Sequence, residues 1–296
     1  MENIDRPLGI HKNVRKPGEF TDDSQLMLCG LQSVINKAAI DPLDHAAFMV
    51  KTFLNEPLRG WSRSTTKATE RLSQGIPWFR AAEGSLGIGN GVAMKAAPLG
   101  LYLSKLLSDR TNGKKDNADI RHCLNSIVSI GKITHTELGI AAGLLQSSLI
   151  SFAVNNVRNR SYILKELCTV EKEFFGNTYL TDKIKKLIRK KMSIEQLADA
   201  CGLSGKAEES WVAVAVLFMR TKNKIEATKN LFKLIQQGAD CDTTGSMYGA
   251  LIGARWGLSA FPKHLIDKVE KSKEFMKLSE DLYCIVNEPD NMKLKT

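Results

Sequence analysis

The stretch "GADCDTTGSMYGALIGARWG", residues 238–257, indicates most about the architecture of this 296-residue chain. Two carboxylates, Asp240 and Asp242, come directly before hydroxyl-bearing, small and apolar residues. Such polar residues begin helices, because they accept hydrogen bonds from free N–H groups and oppose the positive end of the helix dipole. Glycines recur every fourth residue from Gly245 to Gly257. They predict a helix with one bare face, closely packed neighbours and a central position.

Outside this stretch the apolar residues recur with the helical period of 3.6 almost everywhere, and strand-like alternation is hard to find. In "DPLDHAAFMVKTFL", Asp41 is a candidate N-cap and Pro42 a candidate first helical residue. We therefore predict an all-α protein of ten to fourteen helices, folded as one compact domain over residues 1–296. The same helical pattern appears in "THTELGIAAGLLQSSLISFAVN" (134–155), "SIEQLADACGL" (193–203), "EESWVAVAVLFMRT" (208–221) and "IEATKNLFKLIQQ" (225–237).

Composition favours a globular protein. Hydrophobic residues make up 43% of the chain, which is enough to bury a sizeable core. The first twenty residues hold no apolar stretch of signal-peptide length, and the longest apolar run, "WVAVAVLFM" at 211–219, is shorter than the roughly 20 residues that span a bilayer. The six cysteines are scattered and form no CxxC pair. We expect a cytoplasmic monomer away from membranes, with reduced and mostly buried cysteines.

The formal net charge of +10 is compatible with a nucleic acid, an acidic lipid surface or an anionic substrate. The densest basic run, "KIKKLIRKK" at 183–191, places Ile184, Leu187 and Ile188 at helical spacing among the lysines. No aromatic residue is interleaved with these cations, as a single-strand binder would require. The run is thus typical of a solvated helix face, and we do not expect a nucleic-acid partner.

A second acidic helix start lies near the N-terminus. In "TDDSQLMLCG", Thr21, Asp22 and Asp23 precede the first apolar residue of a helix. Taken alone, this is typical of an N-cap with an acidic first turn. If it converges with the start at Asp240 and Asp242, the buried carboxylates repel one another, and either their pKa values rise or a cation compensates. All-oxygen ligands suit Mg²⁺ or Mn²⁺, and two acidic clusters suggest two ions.

A third stretch, "GSLGIGNGVAMKAAPLGLY" at 84–102, has four glycines within eight residues before a helical run. Such a loop brings backbone N–H groups close to a phosphate at a helix start. Alternatively, it is a turn that uses glycine only for its conformational freedom. The string "DCDTT" also fits the DxDxT motif of haloacid-dehalogenase-type phosphatases. We reject that interpretation, because the motif needs a preceding buried strand and "IEATKNLFKLIQQG" has a helical period.

Taken together, "TDDSQ", "GNGVAMKAAPLG" and "GADCDTTGSMYGALIGARWG" closely resemble the three signature segments of the ADP-ribosylglycohydrolases in residues, spacing and order. The resemblance runs from about Pro17 to Pro262. It implies an orthogonal all-α fold with a binuclear Mg²⁺ or Mn²⁺ centre in a cleft. The metal ligands it implies are Thr21, Asp22, Asp23, Asp240, Asp242 and Thr243.

The resemblance also implies an activity, the hydrolysis of the bond that joins ADP-ribose to a modified protein or small molecule. Asp22 or Asp23 would act as the catalytic base. His135 would lie near the distal part of the substrate, unless it is a structural, hydrogen-bonded histidine. The loop that would wrap the diphosphate consists of Leu86, Gly87, Ile88, Gly89, Asn90 and Gly91, with Asn90 fixing the turn.

The chain departs from the family pattern in two ways. Family members usually carry a GDALG-like segment some tens of residues before the TDD sequence, whereas only about twenty residues precede it here, without that segment. Lys95 stands where arginine is common, and Ile88 where a polar or aromatic residue often follows the phosphate glycines. The shorter N-terminus leaves open an alternative function, a catalytically inactive ADP-ribose-binding or structural member.

Overall fold

The computed structural model describes residues 15–85, 87–111 and 116–287, without the side chains of Arg110 and Thr111. These ranges contain helices and no named strand, which confirms the all-α prediction; a single β-bridge joins Gly89 to Lys206. Two short 3-10 helices, Trp78–Arg80 and Gly257–Ala260, accompany the α-helices. The α-helices are α1 Asp22–Lys37, α2 Pro42–Asn55, α3 Arg63–Ser73, α4 Ala97–Thr111, α5 Asn117–Lys132, α6 Glu137–Val154, α7 Arg160–Phe175, α8 Tyr179–Ile188, α9 Ile194–Cys201, α10 Ala207–Arg220, α11 Lys224–Ile235, α12 Cys241–Trp256, α13 Lys263–Ile266 and α14 Ser272–Asn287.

Local sequence signals fix several of these helix starts. Asp41 accepts a hydrogen bond from the Asp44 N–H at 2.9 Å, and Pro42 is the first residue of α2, as predicted. Ser193 and Gln196 form a reciprocal capping box at the start of α9. Each of these side chains satisfies an N–H group that the helix itself leaves without an acceptor.

Helix α6 is the centre of the fold and packs against α4, α5, α7, α10 and α12. It joins two groups of buried apolar residues, one built mainly by α6, α10 and α12 and the other by α1, α4, α5 and α14. Among the described residues, α6 is also the one helix long and apolar enough to cross a membrane, but 83% of that window is buried inside the protein. Its apolar surface is therefore used by the core.

Glycines allow the helices around α6 to approach closely. A Cβ at Gly143 of α6 would lie 2.2 Å from Cγ1 of Val92, and one at Gly100 of α4 would lie 2.6 Å from Cβ of Ile150. Contacts this short are sterically forbidden, so a side chain at either position would force the packed segments apart.

The glycines of α12 differ in how closely their neighbours approach. The helix does contact α1, α6, α10 and α11, but through a buried face that includes Met247, Tyr248 and Leu251. A Cβ at Gly249 would meet Phe261 only at 4.0 Å, which is ordinary van der Waals contact. Gly257 lies beyond the helix with a positive φ of 65°. At Gly245, by contrast, a Cβ would lie 3.2 Å from Cγ1 of Ile235 in α11, which is a tight contact. The prediction of a central helix is confirmed, and the predicted close approach holds at Gly245 but not along the whole glycine face.

The basic run at 183–191 behaves as a helix face. Ile184 is buried in the core, and Leu187 and Ile188 pack partly against it. The prediction of mostly buried cysteines is wrong, because only Cys29 and Cys123 are buried among the six free thiols.

Candidate active site

The two acidic helix starts meet in the folded protein, since the first turns of α1 and α12 lie side by side. Thr21 is the N-cap of α1 by position, but its hydroxyl caps no N–H group and instead donates to Asp23 Oδ2 at 2.7 Å. Asp240 is the N-cap of α12 and likewise makes no side-chain cap. Residues of these types normally cap, so their side chains are free for another task.

The carboxylates of the two helix starts are close enough to repel one another. Burial, with the added charges of Asp23 and Asp242, raises the pKa of Asp22 to about 8. Burial and then Asp242 raise the pKa of Asp23 to about 7. Burial also raises the pKa of Asp240, and a hydrogen bond from Asn90 partly offsets that effect. Asp242 acts on acids of both helices, which identifies one shared cluster.

The acids of the cluster differ in how deeply they are buried. Asp23 is only 2% exposed, whereas Asp242 lies on the exposed rim. Oδ1 of Asp23 is buried and has no hydrogen-bond partner among the described residues. Thr243 is buried beside Asp23 and Asp240 and lowers the pKa of each.

These observations fit a hard cation. An unpaired buried carboxylate oxygen and several mutually repelling acids gain most from a bound divalent ion, and every donor is an oxygen. In the part of the chain that the structure describes, no three Asp, Glu, His or Cys side chains already surround one point. A complete ligand set would therefore include the Thr21 and Thr243 hydroxyls and oxygens of water or substrate.

The glycine-rich loop, residues 87–91, lies against the turn before α10. The Asn90 N–H donates to the Gly205 carbonyl at 2.9 Å, and the Ala207 N–H donates to the Ile88 carbonyl at 3.2 Å. The N–H groups of Ile88 and of the following glycine donate to no described residue. Such neighbouring free donors suit an anion. Leu86, which was predicted to contact the substrate, lies outside the described residues.

Close packing, rather than conformational freedom, explains the glycines of this loop. A Cβ at Gly87 would lie 2.5 Å from Cα of His135, and one at Gly91 would lie 2.8 Å from Cε1 of the same ring. Gly87, Gly89 and Gly91 all lack a positive φ. The interpretation as a turn that needs left-handed glycine is therefore wrong for these three positions.

His135 packs against the loop from inside. It is 4% exposed, and its Nδ1 lies 2.7 Å from the Thr134 hydroxyl. Burial lowers its pKa to about 3, and the nearby Lys95 ammonium adds to that effect. The histidine is hence neutral, and it supports the loop. These contacts agree with a structural histidine, and contact with the distal substrate stays a prediction.

Asn90 joins the loop to the carboxylates. Its side-chain amide donates to Asp240 Oδ2 at 2.7 Å and to the Ser210 hydroxyl at 3.0 Å. The backbone carbonyl of Asn90 accepts a hydrogen bond from the Met94 N–H at 3.0 Å. The backbone contact agrees with the predicted role in fixing the turn. The bond to Asp240 was not predicted from the sequence.

Two residues of the sequence motifs have contacts that were not predicted. Oε1 of Gln25 in α1 accepts hydrogen bonds from Trp61 Nε1 at 2.8 Å and from the Arg59 N–H at 3.2 Å. Gln25 therefore connects the helix to the loop at 57–61. Lys95, in the position where the family often has arginine, is 1% exposed, and burial lowers its pKa to about 8. At that depth it contacts the core.

A surface groove of about 670 Å³ lies elsewhere, between the second 3-10 helix, α13 and α14. Its lining includes Phe261, Lys263 and Met276, and none of the predicted site residues. That groove is therefore separate from the carboxylate cluster.

The chain is similar to known proteins along most of its length. The family model described as ADP-ribosylglycohydrolase matches residues 2–290. An uncharacterized protein of Archaeoglobus fulgidus is 26% identical over 90% of this chain and 80% of its own length. ADP-ribosylhydrolase ARH3 of Mus musculus is 23% identical over 91% of this chain and 78% of its own length.

Two further likenesses point the same way. ADP-ribosylarginine hydrolase Tri1 of Serratia proteamaculans is 24% identical over 93% of this chain and 70% of its own length. A solved structure named ADP-ribosylglycohydrolase-related protein complex superposes with a TM-score of 0.67 at 22% identity, over 91% of this chain and 83% of that one, which is a likeness of fold. From the match along nearly its whole length, the chain belongs to the ADP-ribosylglycohydrolase family.

Proposed function

We propose that this protein is a hydrolase that releases ADP-ribose from a modified protein or small molecule by cleaving the bond at the anomeric carbon of the distal ribose. One observation carries the proposal, the meeting of the α1 and α12 acids with the glycine loop through the Asn90–Asp240 hydrogen bond of 2.7 Å. Family membership and relatives named for hydrolysis of ADP-ribosyl groups support it.

Two divalent ions, Mg²⁺ or Mn²⁺, would be held by Thr21, Asp22 and Asp23 from α1 and by Asp240, Asp242 and Thr243 from α12. When bound, such ions supply Lewis acidity and orient a water near the sugar. The chain itself supplies the helix N-termini, whose free N–H groups and dipoles stabilise the ionised carboxylates.

The remaining roles fall to side chains and backbone of the chain. Asp22 or Asp23 would accept a proton from the attacking water, because both carboxylates lie within the cluster and a carboxylate is the usual base in glycoside cleavage. The diphosphate would lie on the N–H groups of Ile88 and Gly89. Asn90 would keep loop and acids in register, which matters because small misplacements of reacting groups are costly.

The experiment that tests the function is release of free ADP-ribose from arginine-linked, serine-linked and small-molecule-linked substrates. We expect cleavage of at least one linkage, loss of turnover with EDTA and recovery with added Mg²⁺ or Mn²⁺. In Asp242→Asn, Mn²⁺ binding should weaken and turnover vanish, whereas Asp199→Asn, on the exposed face of α9, should behave as wild type. Metal-dependent binding of ADP-ribose without cleavage of any linkage would refute hydrolysis and leave a binding protein.

A further inference from the structure

The segment just before α1 is held by the C-terminal part of the chain. The Glu270 N–H donates to the Gly18 carbonyl at 2.8 Å. Gly18 has a φ of 94°, and a Cβ there would lie 2.1 Å from the Lys268 carbonyl oxygen. Only glycine allows this approach. The backbone that leads into Thr21 is therefore fixed by residues about 250 positions away in the sequence.

Arg59 connects the same two segments through its side chain. Its guanidinium donates to both carboxylate oxygens of Glu270, at 2.6 and 2.7 Å, and to the Phe20 carbonyl at 3.1 Å. The guanidinium carbon also lies 4.0 Å from the centroid of the Phe20 ring. A bidentate pair fixes the orientation of both partners, which a single contact between charges does not.

The backbone of Arg59 holds the first turn of α1 directly. Its carbonyl accepts the Asp22 N–H at 3.0 Å, and its own N–H donates to Gln25 Oε1 at 3.2 Å. Arg59 thus contacts the start of α1 through its main chain and Phe20 through its side chain. A shift of Arg59 moves Asp22 with it.

Helix α14 also contacts Phe20. The Phe20 ring contacts both the Arg59 guanidinium and the ring of Phe275, whose centroid is 5.7 Å away in an edge-to-face arrangement. Phe20 is buried and immediately precedes the first candidate ligand. The position of that ligand therefore depends on Arg59, Glu270 and α14 together.

We propose that Arg59 and Glu270 are positioning residues for the acidic cluster, which set where Thr21, Asp22 and Asp23 stand relative to the acids of α12. The inference rests on the proposed function and concerns residues that hold the candidate metal ligands in place. The Arg59 and Glu270 side chains are 20% and 30% exposed. Because both side chains reach solvent, changing one partner leaves no buried unpaired charge, and the pair can be broken without unfolding the protein.

Glu270→Gln in the full chain is the first test, since it keeps the size of the side chain and removes the charge. We expect Mn²⁺ affinity, measured by calorimetry, to fall about tenfold, as for other outer-sphere partners of metal ligands. The unfolding temperature in EDTA should stay close to wild type. The matched control is Glu274→Gln in α14, which breaks the exposed pair at 3.7 Å with Lys271, just before that helix, and should change neither quantity.

Arg59→Lys is the second variant, because it keeps the charge and loses the forked geometry. It should show the same loss of Mn²⁺ affinity, and the double variant should be no worse than either single one, as expected for two residues that act as a unit. Unchanged Mn²⁺ affinity in both variants, with or without a lower unfolding temperature, overturns the positioning role alone. A wild-type protein that binds no Mn²⁺ overturns the proposed metal site and this inference with it.

Discussion

The side-chain amide of Asn90 lies 2.7 Å from Asp240, so the glycine loop and the acidic cluster share a hydrogen bond between residues 150 positions apart. Asn90 is buried, and its second hydrogen bond, to Ser210, holds the amide in one orientation. The link makes one structural unit of the candidate phosphate site and the candidate metal site.

We predict that Asn90→Ala weakens Mn²⁺ binding about tenfold, because Asp240 loses the donor that orients it. Asn90→Asp should also weaken it, since a carboxylate cannot donate to Asp240 and repels it from its position. Titration calorimetry on both variants measures the effect. Asn125→Ala, on the exposed face of α5, is the control. Equal Mn²⁺ affinity in wild type and Asn90→Ala would show that this hydrogen bond does not position the ligand.

A second prediction concerns the helix packing that carries the site. Gly143→Ala should lower the free energy of unfolding by about 1–3 kcal/mol, because overpacked cores relax at that cost. The reason is the 2.2 Å approach to Val92, which lies just after the glycine loop.

The matched control for that substitution is Gly249→Ala in α12, where the nearest atom to a new Cβ is 4.0 Å away. It should be neutral or stabilise by about 0.5–1 kcal/mol, the usual gain of alanine over glycine in a helix. Urea denaturation of the two variants provides the comparison. Equal stabilities would contradict the packing argument.

The third prediction addresses the loop surface. Ile88 is 46% exposed, so Ile88→Glu should leave the fold intact and place a negative charge beside the proposed diphosphate position. ADP-ribose affinity should drop by about fivefold, since two like charges about 4 Å apart in water repel by about 1 kcal/mol. Ile225→Glu, at a 67% exposed position on α11, is the control. If both variants bind ADP-ribose as tightly as wild type, the diphosphate lies elsewhere.

The fourth prediction follows from the buried histidine. Burial depresses the pKa of His135 from 6.5 to about 3, so between those values the unfolded chain binds a proton that the folded protein excludes. The stabilising contribution of the neutral ring is complete above pH 6.5 and is lost as the pH falls from there toward 3. The corresponding slope is about 1 kcal/mol per pH unit.

In His135→Gln the free energy of unfolding should consequently vary less steeply across that acid range than in wild type. Some slope should remain, because burial also lowers the pKa of His45. His122→Gln, at an exposed position of α5, should keep the wild-type slope. Denaturation midpoints at several pH values measure it, and parallel curves for wild type and His135→Gln would disprove the assignment.

Local sequence signals were sufficient for the helix starts. A helix start can be predicted from a few neighbouring residues. The helix-initiating residues here are Thr21, Asp22 and Asp23 at the start of α1, and Asp240, Asp242 and Thr243 at the start of α12. The apolar period gave the helices because each one must bury a stripe. The motifs also indicated the family, and their charge predicted that a cation or raised pKa values would be needed wherever the acids met.

Only the tertiary structure decided what those residues touch. The Asn90 amide reaches Asp240, and Arg59 pairs with Glu270 across 211 positions. The loop glycines pack against His135, whereas in α12 Gly245 packs closely against Ile235 and Gly249 meets little. The physical reason is that a helix start depends on a few adjacent residues, while a hydrogen bond across the fold depends on where many packed side chains place two distant backbones.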